Sequence, residues 1–326
     1  MNTMHSAETV RWGVLSTARI ARRVVPAMQA TRNGAVLAVA SRDIERARAF
    51  ASTFGIPRAY GHYEALLDDP DIDAVYIPLP NHLHRPWTLR ALAAGKHVLC
   101  EKPLALNVAE AEEMAAAARS EARILMEAVM YRFHPRIEKA HALVKSGVIG
   151  IPRVVRTTFT FSYYDPFDYR FSPEMGGGAL LDVGVYCITA SRLMLDGEPH
   201  KARAVIRVDA DMGVDMTVSA VLEFPASKMA TFVCSFELAP HAGLEVLGTQ
   251  GSLYLPEPWV PGNRAWPIVV RRNGQEEHVS APAADHYRLM VEHFGDVVLG
   301  RTPLRYPPED AMATLRVVEM VREGSI

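Results

Sequence analysis

The stretch His97-Val98-Leu99-Cys100-Glu101-Lys102-Pro103-Leu104-Ala105 runs a buried-looking strand straight into an acid, a lysine and a proline. A short apolar run of this kind reads as a strand covered on both faces. A charged turn at its end makes sense if the end is used, because doubly wound sheets bind ligands beyond the carboxyl ends of their strands.

Working outward, the same alternation recurs on both sides. Residues 10–15, 35–40, 72–77, 97–100 and 123–128 read as strands, and 19–32, 43–53, 85–94 and 107–119 as helices. Pro26 falls inside the first helical pattern, where its missing donor predicts a bend or break. Short runs rich in Val, Ile and Ala, separated by helices, imply parallel strands with helices on both faces. The segments with chemistry, Ser16-Thr17-Ala18, Ser41-Arg42, Pro78–His84 and Glu101-Lys102, all fall at strand ends.

The pattern changes after residue 128. A linking helix over 134–146 and a strand over 153–163 lead to the turn Gly176-Gly177-Gly178 and a helical run over 179–194. Strand-like segments follow at 202–208, 214–224, 228–238, 243–248, 251–255, 267–272 and 276–280, with helices again at 284–299 and 308–322. Many strands without intervening helices predict a mostly antiparallel sheet. At 326 residues the chain exceeds what one core usually organises. The expected fold is α/β: a doubly wound Rossmann domain over 1–128, then an α+β domain with a large, mostly antiparallel sheet over 129–326.

Composition narrows the partners. A formal net charge of -2 gives no general attraction to nucleic acid. No run of about twenty apolar residues stands out, and residues 1–11 lack the apolar core of a secretion signal, so a cytoplasmic protein is expected. Cys100, Cys187 and Cys234 are far apart in apolar surroundings and read as core residues.

Dinucleotide sites usually carry a glycine-rich strand-to-helix turn that lets pyrophosphate approach backbone donors. Here the turn reads Ser16-Thr17-Ala18-Arg19-Ile20-Ala21, with Ser16 and Ala18 in place of the first two glycines. The residues stay small, Ser16 and Thr17 offer hydroxyls, and Arg19 offers charge. After the second strand, a carboxylate would suit a free ribose hydroxyl and a basic residue a 2'-phosphate. Ser41-Arg42 occupies that bend, and the arginine fork suits phosphate. NADP is therefore expected over NAD, with Asp43 as a competing partner for Arg42 or for ribose, and Arg42 as a solvent cap of the strand the plainer alternative.

Pro80-Asn81-His82-Leu83-His84, Ala94-Gly95-Lys96 joined to the opening stretch, Tyr131-Arg132-Phe133-His134-Pro135 and Gly176-Gly177-Gly178-Ala179-Leu180-Leu181-Asp182-Val183-Gly184-Val185-Tyr186 together resemble the glucose-fructose oxidoreductase/inositol dehydrogenase family. The resemblance spans both domains. It implies hydride transfer with a nicotinamide dinucleotide at a sugar, cyclitol or related hydroxylated ring, and a cis bond at Lys102-Pro103. It places Lys102 beside the substrate hydroxyl. Tyr186, four residues after Asp182, is similar to the tyrosine of dimeric dihydrodiol dehydrogenases and bacterial aldose dehydrogenases rather than to the histidine of inositol dehydrogenases. The resemblance thus assigns Tyr186 as acid/base and Asp182 to substrate hydroxyls. Pro80, Asn81, His84, Glu101 and Lys102 fall on the cofactor side.

The i,i+4 spacing of Asp182 and Tyr186 puts both on one helix face, though an ordinary helix start with a buried tyrosine fits the same letters. Arg170 either binds a substrate oxygen or braces its loop, where Tyr163, Tyr164, Phe167 and Tyr169 add aromatic surface. Trp259 and Trp266 add more or pack in a rigid proline-rich excursion. His82 and His84 have the spacing of a metal pair, but no metal is required. The expected protein is an NADP-dependent oxidoreductase of a sugar, aldose dehydrogenase-like, or of a cyclic diol. The alternatives are trans-dihydrodiol dehydrogenation, redox-assisted glycoside cleavage, and a regulatory protein that binds NADP without chemistry. The strand-rich half predicts a homodimer or homotetramer.

Overall fold

The computed structural model describes residues 9–262 and 264–325; residues 1–8, on which most of the secretion-signal reading rests, lie outside them. The chain falls into two compact units, Met1–Met130 with His286–Ala311 and Tyr131–Asp285 with Met312–Ile326.

The first unit alternates β1 (Val10–Leu15), α1 (Ala21–Gln29), β2 (Gly34–Ala40), α2 (Ile44–Phe54), β3 (Arg58–Tyr60), α3 (Tyr63–Leu67), β4 (Ala74–Ile77), α4 (His84–Ala93), β5 (His97–Cys100), α5 (Val108–Ser120) and β6 (Leu125–Glu127). The strands form one parallel sheet in the order β3-β2-β1-β4-β5-β6. The order reverses between β1 and β4, which is where such sheets bind dinucleotides. Every residue of β4 is buried, as its continuous apolar run requires. The expected elements are all present, and α1 continues through Pro26, which sits on its exposed side. The unexpected β3 and α3 are three and five residues long. All three residues of β3 are only partly buried, so it carries no apolar run to read.

The second unit begins with a short 3-10 turn and α6 (Pro135–Lys145), then β7 (Pro152–Ser162), a π turn over Leu180–Gly184, and α7 (Val185–Leu195). Strands β8 (Lys201–Val208), β9 (Asp215–Phe224), β10 (Lys228–Ser235), β11 (Glu237–Gly248), β12 (Gly251–Pro256), β13 (Ile268–Arg272) and β14 (Gln275–Val279) complete it. The eight strands pair in the order β14-β13-β12-β11-β7-β10-β9-β8. All neighbours are antiparallel except β7 with β10. Along β9 the even-numbered residues are buried and the odd-numbered ones are not, the period-two mark of a sheet covered on one face. All three cysteines are buried and free.

Two differences from the sequence reading have physical causes. The division at 128/129 assigns everything later to the second domain, whereas His286–Ala311 belongs to the first unit. There α8 (His286–Val298) buries Phe294 against Trp12, ring centroids 5.2 Å apart, and Asn33 donates to Glu292 O at 2.8 Å and Asp296 Oδ1 at 2.9 Å. A strand–helix alternation read along the chain cannot announce a return of this kind. The last helix, α9 (Pro308–Glu323), begins in the same region. Secondly, Pro173–Leu195 is long and apolar enough to span a membrane by composition, although Asp182 and Arg192 interrupt its apolar run, and its most apolar 18-residue window is 94% buried inside the protein, as a core element is.

Candidate functional site

The turn after β1 keeps the geometry of a glycine fingerprint without the glycine. Ser16 adopts φ 141, a region L-residues rarely enter. Its Oγ accepts the Ala18 N–H at 3.1 Å, and the Ala18 carbonyl accepts from Ala21 N at 3.0 Å. Among the described residues no group accepts the N–H groups of Thr17, Arg19 and Ile20. Ala21, at the third small position, is wholly buried. This is a cradle with backbone donors at a helix start, and it fits pyrophosphate.

The end of β2 supports the basic reading of the second bend. Asp43, the competitor of Arg42, is committed elsewhere: it caps α2, accepting Glu45 N at 2.9 Å and Arg46 N at 3.4 Å. Ser41 is buried, and its Oγ accepts Asp43 N at 3.3 Å. Arg42 is exposed. It and Ser16 lie against the hydroxyl of Tyr63, whose pKa burial raises and these two neighbours pull back. A guanidinium near Ser16 and free of an acidic partner among the described residues fits a phosphate on the ribose.

The ends of β4 and β5 are tied together. His84, expected at the cofactor, is fully buried, and its ring nitrogens sit 2.7 Å from Pro103 O and 2.8 Å from Leu79 O. Burial holds its pKa down at about 4, against two carbonyls that favour the charged form. The neutral ring donates to only one of the two carbonyls, but both nitrogens are buried against them, so it braces the backbone and has no surface left for a ligand or a metal. Lys102-Pro103 is cis, as the resemblance implied. Behind it, Leu104 N donates at 2.7 Å to Oε1 of Glu127, a buried carboxylate at the end of β6. Glu101 accepts from the wholly buried Tyr76 hydroxyl at 2.5 Å and from Lys102 N at 3.3 Å. Pro80 opens the 3-10 turn Asn81–Leu83, accepting Leu83 N at 2.9 Å, and Asn81 is almost wholly buried. Glu101 and Lys102 stay partly exposed. Tyr76 and Glu127 were missed in the sequence because each is one polar residue inside an apolar strand.

In the second unit Asp182 lies on the π turn and Tyr186 on the first turn of α7. Single π turns inside helices cluster at functional sites. Arg170 Nε donates to Asp182 Oδ2 at 2.8 Å, and Arg170 Nη1 reaches both Asp168 oxygens at 3.3 and 3.4 Å. Burial works against the charged guanidinium, but Asp182, Tyr169 and Asp168 outweigh it, so its pKa is held above the ordinary arginine value. Of the two roles open to Arg170, the structure gives it the brace. Asp168 in turn accepts Tyr163 OH at 2.8 Å, and the Arg170 fork lies over the Tyr169 ring at 4.8 Å. Tyr164 and Phe167 are exposed at 60% and 97%, which leaves them as loop surface rather than core.

Tyr186 is only 6% exposed and sits in an aromatic cage. Phe159 meets it edge-on at 5.3 Å, Tyr131 lies at 5.7 Å and Trp259 at 6.1 Å. Trp259 is fully buried and donates to Thr158 O at 2.9 Å, so it packs rather than lining an open surface. Trp266, half-buried, donates to Pro261 O at 3.2 Å. The Tyr131 hydroxyl is paired with Thr189 Oγ1 at 2.9 Å, and Thr189 donates back to the Val185 and Tyr186 carbonyls at 2.8 and 3.1 Å. Such packing leaves the Tyr186 ring one orientation.

Comparison with known proteins agrees with these observations. Residues 10–129 match the oxidoreductase family with an NAD-binding Rossmann fold, and residues 137–254 match the GFO/IDH/MocA C-terminal domain. The chain is 39% identical to D-xylose 1-dehydrogenase (NADP(+)) 2 of Haloferax volcanii, over 96% of this chain and 97% of that one. It is 40% identical to dTDP-3,4-didehydro-2,6-dideoxy-alpha-D-glucose 3-reductase of Streptomyces violaceoruber, over 98% and 96%. Among solved structures, a 3-ketoreductase from Actinomadura kijaniata in complex with NADP and TDP-benzene superposes with a TM-score of 0.91 at 36% identity, covering 97% of this chain and 98% of that one. With both halves matched and relatives aligned over nearly their whole length, the chain belongs to the GFO/IDH/MocA oxidoreductase family.

Proposed function

We propose that this oxidoreductase uses NADP and acts reversibly at a CH–OH centre of a sugar or related hydroxylated ring, with Tyr186 as acid/base and Lys102 as a second catalytic residue. The observation that carries the reading is the Asp182–Tyr186 pair: a carboxylate and a phenol four residues apart on one rigid helical element, the first braced by Arg170 and the second caged by three aromatic rings.

Bound nicotinamide accepts or supplies the hydride; the chain's residues do the rest. The Tyr186 hydroxyl takes the proton of the substrate hydroxyl during oxidation and returns it during reduction. A phenol starts near pKa 10, so this work at neutral pH needs a nearby cation. Lys102 is assigned to the alkoxide charge that develops on the substrate. Asp182 accepts hydrogen bonds from neighbouring substrate hydroxyls and fixes which carbon reacts. On the cofactor side, the Thr17, Arg19 and Ile20 N–H groups would hold pyrophosphate and Arg42 would hold the 2'-phosphate. The NADP named for the xylose dehydrogenase and bound in the ketoreductase supports this choice.

Two substrate types are consistent with the relatives: free aldoses, oxidised at the anomeric carbon, and keto groups of nucleotide-linked deoxysugars, reduced to alcohols. Following NADPH absorbance over a panel of aldoses, trans-dihydrodiols, cyclitols and nucleotide-linked keto-sugars, in both directions, decides between them. No turnover anywhere on that panel, with NADPH bound tightly, would instead make the chain a cofactor-binding regulatory protein.

A further inference from the structure

The element that carries Asp182 and Tyr186 does not begin with a side-chain cap of its own: Ala179, preceding the π turn, has none to offer. Its start is held from across the sheet. Asp215, the first residue of β9, accepts the Leu180 N–H at 2.6 Å through Oδ2. Its other oxygen fills the space where residue 178 would carry a Cβ, so only glycine fits there, and Gly178 takes φ 106. Gly178 N donates in turn to Arg170 O at 2.9 Å, and Gly178 O accepts from Asp182 N at 3.2 Å. One carboxylate thus touches the glycine from which both the Arg170 brace and the Asp182 backbone are hung.

We infer that Asp215 is a positioning residue for the reaction, setting the turn that presents Asp182 and Tyr186 to the substrate. The inference rests on the roles proposed for those two residues. A merely structural carboxylate would be an expensive choice here. Burial pushes the Asp215 pKa up to about 6, and the Leu180, Asp215 and Ala179 N–H groups together with Arg322 only partly offset it. An apolar side chain would avoid that cost but could not accept the Leu180 N–H, which would then be left unpaired at the start of the helix.

The test is a cycle of Asp215→Ala, Tyr186→Phe and their combination, with Asp215→Asn alongside. Asp215→Ala is expected to lower kcat by about ten-fold or more while KM changes little, and to add less than about twofold on top of Tyr186→Phe, as expected for residues acting through one element. Asp215→Asn keeps a carbonyl oxygen in place and is expected to restore most of kcat. Independently of turnover, amide exchange at Leu180 should accelerate by about ten-fold or more in Asp215→Ala and not in Asp215→Asn. Wild-type kcat in Asp215→Ala, fully additive losses, or an Asn variant as poor as the Ala variant would each overturn the inference. If Asp215→Ala does not fold, Asp215→Ser, too short to reach Leu180, carries the same test; failure of both to fold also overturns it, since the residue would then serve the fold and not the turn. Undiminished turnover in Tyr186→Phe defeats the acid/base reading instead, and Asp215 is then judged on the kcat and exchange of its own variants.

Discussion

Arg170 Nε and Asp182 Oδ2 are 2.8 Å apart, and the carboxylate is 5% exposed against 25% for the guanidinium. The brace and the residue assigned to substrate hydroxyls thus hold each other. Arg170→Met should strand the Asp182 charge in a buried position and cost about 2–4 kcal/mol, somewhat less than a fully buried pair because the guanidinium still meets water. Urea unfolding gives the stability, and kcat/KM should fall with it. A lysine at 170 cannot serve Asp182 and Asp168 with one fork, so Arg170→Lys should recover less than half of either loss. Full recovery by lysine would reduce the brace to a simple charge contact.

Tyr186→Phe and Lys102→Met remove the proposed proton carrier and the proposed catalytic cation. Each should lower kcat by about 10²–10⁴-fold, with the thermal midpoint within a few degrees of wild type. The phenyl ring of the Phe variant keeps the cage of Tyr131, Phe159 and Trp259 filled. A kcat within threefold of wild type, roughly the scatter of such comparisons, would remove the residue concerned from the chemistry.

Arg42 separates the two cofactors. Arg42→Ala should weaken NADPH binding by about 10–100-fold, the worth of one or two charge-assisted hydrogen bonds to phosphate, and leave NADH binding nearly unchanged. Fluorescence titration of both dinucleotides measures it. An equal loss for both would mean that Arg42 supports the turn and does not read the phosphate.

What could be read in the letters divides along physical lines. Strands such as β4 and β5 of the first unit carry continuous apolar runs, and strands such as β9 of the second alternate, so both folds follow from periodicity. Lys102, Asp182 and Tyr186 stand in motifs. His84 stands in one too, but its letters could not say that both nitrogens would be spent on the Leu79 and Pro103 carbonyls. Tyr76, Glu127 and Asp215 were not legible at all. Each is a polar residue in, ending or beginning a strand, and its importance comes from a partner 25, 23 or 35 residues away. The return of α8 was hidden for the same reason: Trp12 and Phe294 meet across nearly the whole chain.

Acid should weaken the fold through histidines held neutral by burial, His84 among them, and two of these accept backbone N–H groups. His97 Nδ1 accepts the Ile124 N–H at 2.9 Å and His134 Nδ1 the Arg136 N–H at 3.1 Å. Burial holds both at about 4, with Arg123 adding to the effect at His97 and Arg136 at His134. Between about 4 and 6.5 the unfolded chain then binds more protons than the native one at these sites, so stability rises with pH across that window and is lost as pH falls through it. Each histidine should contribute about 1–3 kcal/mol of that slope. Asp215, raised from 3.8 to about 6, acts in the opposite direction over much of the same range. The contributions separate by mutation. In urea unfolding at pH 7.5, 6 and 4.5, His97→Gln and His134→Asn should flatten the loss toward acid, whereas Asp215→Asn should steepen it and be most favourable relative to wild type at pH 7.5. An unchanged pH slope in both histidine variants would mean that acid acts instead through His84, also held at about 4, or through carboxylate ion pairs such as those of Arg11 and Arg58 with Asp69, Asp71 and Asp73.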